Sequence, residues 1–180
     1  SPAKPAGAYT FSGNVAGVAS GIVSKSKVGA DAVELVIYEP SVMRDGSSAN
    51  NPVLQETPDP ISKVTWDNYA AFNPKYAEKL GLEQFDLVKI EANGYAVELP
   101  VLLQPGQVQG SVAVALGYGR EGAGKVGNGV GKNVYPFAGV KEVKVEKVPG
   151  YFELALTQTH YSSEDREVIR EITFAEYKHD

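Results

Sequence analysis

Phe85 to Leu103, FDLVKIEANGYAVELPVLL, constrains this chain more than any other stretch. Asn93-Gly94 is a pair that accepts positive φ at both central positions of a type I′ turn, whose twist matches two antiparallel strands. Val88, Ile90 and Ala92 then face Ala96, Val97 and Leu99 across a hairpin. Other segments point the same way. AVELVIYE (32–39) predicts a buried strand. SVAVAL (111–116) is apolar at every position after its serine, the pattern of a strand covered on both faces. VKEVKVEKV (140–148) alternates valine with charge, as a half-exposed strand does. VTWDNYAAF (64–72) and YFELALTQT (151–159) are two further strand candidates.

Helical signals are few. NPKYAEKLGL (73–82) opens on a capping Asn73 with Pro74 at the first helical position, and Gly81 can end the helix in the left-handed region. Tyr76, Ala77 and Leu80 would share its inner face. Pro40 to Lys63 holds four prolines among Asn, Asp and Ser, which predicts a long irregular connection of the kind that is functional or forms an interface. Residues 1–32, rich in Ala, Gly, Ser and Val, predict an arm or linker. Many short strands with one or two short helices imply a mainly β class, as a β-barrel or a β-rich α+β domain.

Composition excludes several functions. At 180 residues the chain suits one domain, and its formal net charge of −5, with dispersed basic residues, argues against a nucleic-acid partner. No apolar run approaches a membrane span. With no cysteine, the chain holds neither a disulfide nor a thiolate-ligated iron–sulfur cluster. His160 and His179 lack the neighbours that signal a metal site, and no nucleophile, base and orienting group stand in a recognisable pattern. The expectation is a chain without catalytic or metal-ligating residues. A start at Ser1 and a finish in REITFAEYKHD, where a helix begins, predict a processed chain or an excised fragment.

Residues 115–137, ALGYGREGAGKVGNGVGKNVYPF, place seven glycines between Gly117 and Gly131. Gly117 to Gly122 fits G-x-G-x-x-G, and Gly119 to Lys125 fits part of a P-loop. Both need a helix whose N-terminus holds the phosphates, and the P-loop needs Ser or Thr where Val126 stands. Gly127, Gly129 and Gly131 each cost a helix about 1 kcal/mol relative to alanine, so no helix is expected here. Nucleotide hydrolysis and Rossmann binding are thereby excluded. Tight packing against neighbouring protein is the plainer role for the loop. Arg120 and Lys125 would be solvated or paired with Glu121, Trp66 would anchor a core or interface, and Asp67 and Asn68 would orient the turn that follows them.

The order WDN, NPKYAEKLGL, the Asn-Gly hairpin ending VELPVLLQPGQVQGSV, and then ALGYGR resembles the C-terminal, dinucleotide-binding domain of the molybdopterin oxidoreductase superfamily. ANNPVLQETPDPISKVTWDN and LGYGREGAGKVGNGVGKNVYPF are more specifically similar to the large iron–sulfur subunit of bacterial alternative complex III, a quinol-oxidising respiratory complex. That resemblance implies a six-stranded double-psi β-barrel over residues 33–160, with residues 161–180 as an extension toward a ferredoxin-like region that would carry the iron–sulfur clusters. It implies a non-catalytic structural and docking role, with other subunits of a membrane-bound complex as partners. Location would be periplasmic, peripheral to the inner membrane, without direct insertion. In cofactor-bearing relatives the equivalent loop packs on molybdopterin guanine dinucleotide. Gly117, Tyr118, Gly119, Arg120 and Asn133 would then line the cofactor. The complex III relatives lack the metal cofactor.

Overall fold

The computed structural model describes residues 12–25, 29, 32–158 and 171–179. Six strands form where the two-residue hydrophobic period is clearest: β1 (Val33–Tyr38), β2 (Ala70–Phe72), β3 (Asp86–Ala92), β4 (Tyr95–Leu103), β5 (Ser111–Ala115) and β6 (Glu142–Tyr151). Each pairs with two others, so the order β1-β5-β2-β4-β3-β6 returns to β1 and the sheet is closed. Among the described residues every strand of this sheet has a neighbour on both sides, so none is left as a free edge strand to recruit another chain. β1 runs parallel to β5 and β2 parallel to β4, and the remaining four pairings are antiparallel. This scheme maps onto itself when β1, β2 and β3 are exchanged for β4, β5 and β6. The chain is thus two interleaved three-stranded halves, although no repeat is visible in the sequence.

Strand alternation decides what lies inside. Val33 and Leu35, Ala70 and Phe72, Val88 and Ile90, Val97, Leu99 and Val101, Val112 and Val114, and Val143 all point into one core, closed by Phe137, Val134, Ala77 and Leu82. The opposite faces of β2, β4 and β5 present Ala71, Leu102 and Ala113 to a second cluster, covered from outside by Val64 and Leu154. That cover explains why β5 is buried at all five positions. Asn93 and Gly94, at φ +52° and +78°, make the two-residue turn, and Ala92 pairs with Tyr95. Gly81 ends its helix at φ +67°.

The helix after β2 forms as its caps dictate. α1 (Val15–Lys25), α2 (Pro52–Glu56) and α3 (Pro74–Lys79) are the first three helices, and in α3 Asn73 Oδ1 accepts from the N–H groups of Lys75 and Tyr76. Leu80 is exposed, however, and Leu82 beyond the stop takes the buried place expected of it. The arm expected over residues 1–32 contains α1, whose start is stabilised by Asn14 accepting from Gly17 N–H. Two expected strands are shorter than their sequence patterns. YFELALTQT adds no separate strand: β6 ends at Tyr151, and Leu156 makes an isolated bridge to Val64. VTWDNYAAF shrinks to β2 because Trp66 sits at φ +68°, which breaks the extended run. Residues 159–170, His160 included, lie outside the described residues.

Candidate functional site

The C-terminal ends of β1 and β5 and the entry to β2 meet at one end of the closed sheet, and the glycine loop leaves from there. The loop is bolted at both ends by the side chain of Asn68, the residue two places before β2. Its amide donates to Ala115 O at 3.1 Å and to Lys132 O at 2.9 Å, and its carbonyl accepts from Lys132 N–H at 2.8 Å. Asn68 is 1% exposed. Beside it, Asp67 accepts from Gly131 N–H at 2.7 Å. Both side chains reach across the fold rather than orienting the local turn. The kink at Trp66, whose N–H donates to Gln55 O at 2.9 Å, leads the chain into these two residues.

The glycines divide into two kinds. A Cβ on Gly117 would stand 2.9 Å from Arg44 O, and one on Gly46 would stand 2.7 Å from Gly117 Cα, so these two backbones touch where a side chain would fit. A Cβ on Gly119 would stand 2.5 Å from Lys132 C and closer still to Asn133 N, and one on Gly131 would stand 2.8 Å from Tyr118 Cβ. These positions require glycine because this chain packs against itself. Gly122, Gly124 and Gly129 have open space around the missing Cβ. Their part of the loop contains α4 (Gly124–Gly127), a single helical turn where none was expected. Asn128 closes it locally by accepting from Ala123 N–H at 2.9 Å.

All five sequence-predicted residues fall in this region. Gly119 lies against the backbone of Asn133, and Tyr118 lies over Gly131. Arg120 Nη1 reaches Gly46 O at 3.4 Å rather than Glu121, and Asn133 Oδ1 accepts from Tyr135 N–H at 3.0 Å. Tyr135 Oη in turn donates to Asp45 O at 2.5 Å. The 43–46 turn, inside the Pro40–Lys63 connection, is therefore fastened to the glycine loop at three places. Among the described residues no group of three or more His, Cys, Asp or Glu side chains converges to hold a metal.

Two polar environments flank the loop. Tyr38, Tyr69 and Tyr118 lie near one another with Ser62 and Asp59, and burial pushes all three phenols above their ordinary range. They therefore stay protonated at neutral pH, as neutral hydroxyls able to donate hydrogen bonds. On the other side, Lys132 and Asn133 line a polar concavity of about 380 Å³ with Lys89, Tyr95 and Glu98.

Burial also raises the Asp67 carboxyl above 3.8, and the Gly131 N–H and the Lys132 charge pull it back only in part. A carboxyl with a raised folded pKa binds its proton more tightly in the folded state, so its contribution is fullest in acid and is lost as pH rises through that pKa. Asp67→Asn keeps an acceptor for Gly131 without the charge. Its stability, measured by urea unfolding across the acidic range, should fall less steeply with rising pH than that of the parent.

No protein-family model matches the chain. One curated protein, a component of the tetrathionate reductase of Archaeoglobus fulgidus, is 37% identical over 60 residues, covering 33% of this chain and 5% of that protein. Among solved structures, acetylene hydratase from Pelobacter acetylenicus aligns with a TM-score of 0.46 and 18% identity, over 66% of this chain and 18% of the other. The chain thus spans a small part of either protein. The sequence match is local: one third of this chain is similar to a short stretch of a tetrathionate reductase component.

Proposed function

We propose that this chain is a non-catalytic docking domain of the double-psi β-barrel type, within the iron–sulfur subunit of a quinol-oxidising complex of the alternative complex III kind. Electrons would pass through clusters elsewhere in that subunit, and this domain would bury its loops against partner subunits on the periplasmic side of the membrane. The observation that carries the reading is the division of the glycines. Those at the loop base are filled by the chain's own backbone, while the tip, residues 121–130, projects with Val126 70% exposed. A rigid base with an exposed apolar tip suits a protein contact. The closed sheet with two interchangeable halves supports a double-psi topology, and the local likeness to the tetrathionate reductase component supports descent from a molybdopterin enzyme. No helix among the described residues is long and apolar enough to cross a membrane.

One observation favours a second reading, in which the domain binds one end of molybdopterin guanine dinucleotide. Lys132 and Asn133 stand in the polar concavity, where a lysine and an amide suit a phosphate or a base edge. Gly117 and Gly119 do not fit a cradle for such a group on their Cβ sides, because backbone already occupies them. Lys132 and Asn133 are the residues that would hold it, while Arg120 turns to Gly46 O. The dinucleotide would supply the metal-binding pterin, and these side chains would only bind and orient its phosphate or base.

Val126→Asp in the whole protein separates docking from folding. Its side chain is exposed, so urea stability should change by less than about 0.5 kcal/mol. Partner subunits should co-purify in clearly smaller amount. Unchanged co-purification would remove the tip from the interface.

A further inference from the structure

Charge is unevenly placed on this chain. The formal net charge is −5, yet the glycine loop from Gly117 to Asn133 carries Arg120, Lys125 and Lys132 against a single acid, Glu121. The 43–46 turn, fastened to the base of that loop, adds Arg44 and Asp45. Arg44, Arg120, Lys125 and Lys132 are all exposed. Two of the acids nearby already hold backbone N–H groups: Asp45 accepts from Ser47 at 3.0 Å, and half-buried Asp67 from Gly131 at 2.7 Å. Among the described residues the ion pairs are Lys89–Glu91, Lys144–Glu146 and Lys147–Asp86, all on β3 and β6. None of them involves the four cations at the loop end.

The same stretch of chain exposes Val126 and the ring of Tyr135, whose hydroxyl is tied to Asp45 O. Arginine and tyrosine are enriched where proteins meet, and a surface of one sign selects a partner of the other while repelling its own kind. The remainder of this chain is acidic, so a second copy is not steered to the loop end by its overall charge. A small anion would need the cations to converge. Here Arg120 turns to Gly46 O, Lys125 sits on the projecting tip and Lys132 borders the polar concavity with Asn133. Cations spread in this way over a rigid base, with apolar side chains among them in sequence, suit a broad acidic surface.

We propose that the glycine-loop end of the closed sheet docks on an acidic protein face, one that presents Asp and Glu side chains around an apolar recess for Val126. This rests on the docking reading above and adds the chemistry of the partner. The four cations steer the approach and fix its orientation, and burial of Val126 slows release.

A carbodiimide tests this on the whole protein in its native assembly, because it joins a lysine amine to a carboxylate as an amide with loss of water. Peptide mass spectrometry should find Lys125 bonded to an Asp or Glu of a different polypeptide. The yield should be at least about tenfold lower at roughly 1 M salt, where charges are screened beyond about 3 Å, than at roughly 0.1 M, where the length is about 10 Å. Arg44→Glu with Arg120→Glu leaves Lys125 to react and should lower the yield by a similar factor. Both replace exposed side chains, and an unchanged urea midpoint confirms the fold. Arg44→Lys with Arg120→Lys keeps the charge and should keep the yield. An equal yield in the parent and the reversed variant overturns the acidic partner. Reaction only within this chain, with a second copy, or not at all overturns it too; loss of partners from Val126→Asp would then leave docking on apolar contact alone. Charge-dependent binding to vesicles of anionic lipid without a crosslink to another protein would assign the basic end to a membrane surface, which also overturns the proposal.

Discussion

Gly119→Ala is expected to destroy the native glycine loop, while Gly122→Ala leaves it folded. Both glycines have nearly the same backbone, at φ +75° and +74°, so both substitutions carry the same left-handed cost of roughly 1–2 kcal/mol. They differ in what a methyl group meets. At Gly122 it enters open space. At Gly119 it meets the Lys132–Asn133 backbone at 2.5 Å or less, and backbone held in the Asn68 clamp cannot swing aside as a flexible side chain would. Overpacking then adds about 1–3 kcal/mol or more to the conformational cost. Urea midpoints for the two variants at a shared m-value would measure the difference. A deficit of roughly 3 kcal/mol or more for Gly119→Ala against roughly 1–2 for Gly122→Ala is the expected result. Equal deficits would mean that the Lys132–Asn133 backbone does not press on Gly119.

The second large effect concerns Asn68. Asn68→Ala removes a buried amide that serves two carbonyls and one N–H, and leaves the groups of Ala115 and Lys132 to find other partners. Each buried group left unpaired costs about 1–3 kcal/mol, so a loss on the order of 3 kcal/mol is expected. Asn68→Asp is the informative companion. It keeps size and the acceptor for Lys132 N–H, but an ionised carboxylate would face two carbonyl oxygens with nothing to donate. It should be at least as damaging as alanine at neutral pH and should recover part of its stability in acid, where a protonated carboxyl donates once. Hydrogen exchange at Gly131 and Lys132 would report release of the loop in both variants. Protection unchanged from the parent would show that Asp67 alone holds the loop.

These effects also show what the sequence reveals and what it hides. The Asn93-Gly94 turn, the two-sided burial of β5 and the capping of α3 by Asn73 are readable because each depends on residues a few positions apart. Asn68 acts across 47 and 64 positions, and no local period records that. The one available hint was a short polar pair, Asp67-Asn68, directly ahead of the apolar YAAF run. The glycines were visible as a demand for space, but not as a demand met by the chain's own backbone. The fate of YFELALTQT was hidden for a similar reason. Leu154 and Leu156 pack over the outside of the sheet in the second cluster, so their alternation mimics a strand without a continuous strand partner. The helix in the Ala-, Gly- and Ser-rich arm lacks a clear polar face, with every described side chain exposed apart from partly buried Gly21, and composition alone favours a linker there.

The central claim is that the glycine loop serves protein packing and docking instead of cofactor binding. Metal and pterin analysis of the whole protein, purified from its native source, tests it most directly. Iron and acid-labile sulfide without molybdenum, tungsten or pterin is the predicted result. Stoichiometric molybdenum or tungsten with pterin would contradict it, and would make Lys132 and Asn133 the residues to examine as cofactor contacts.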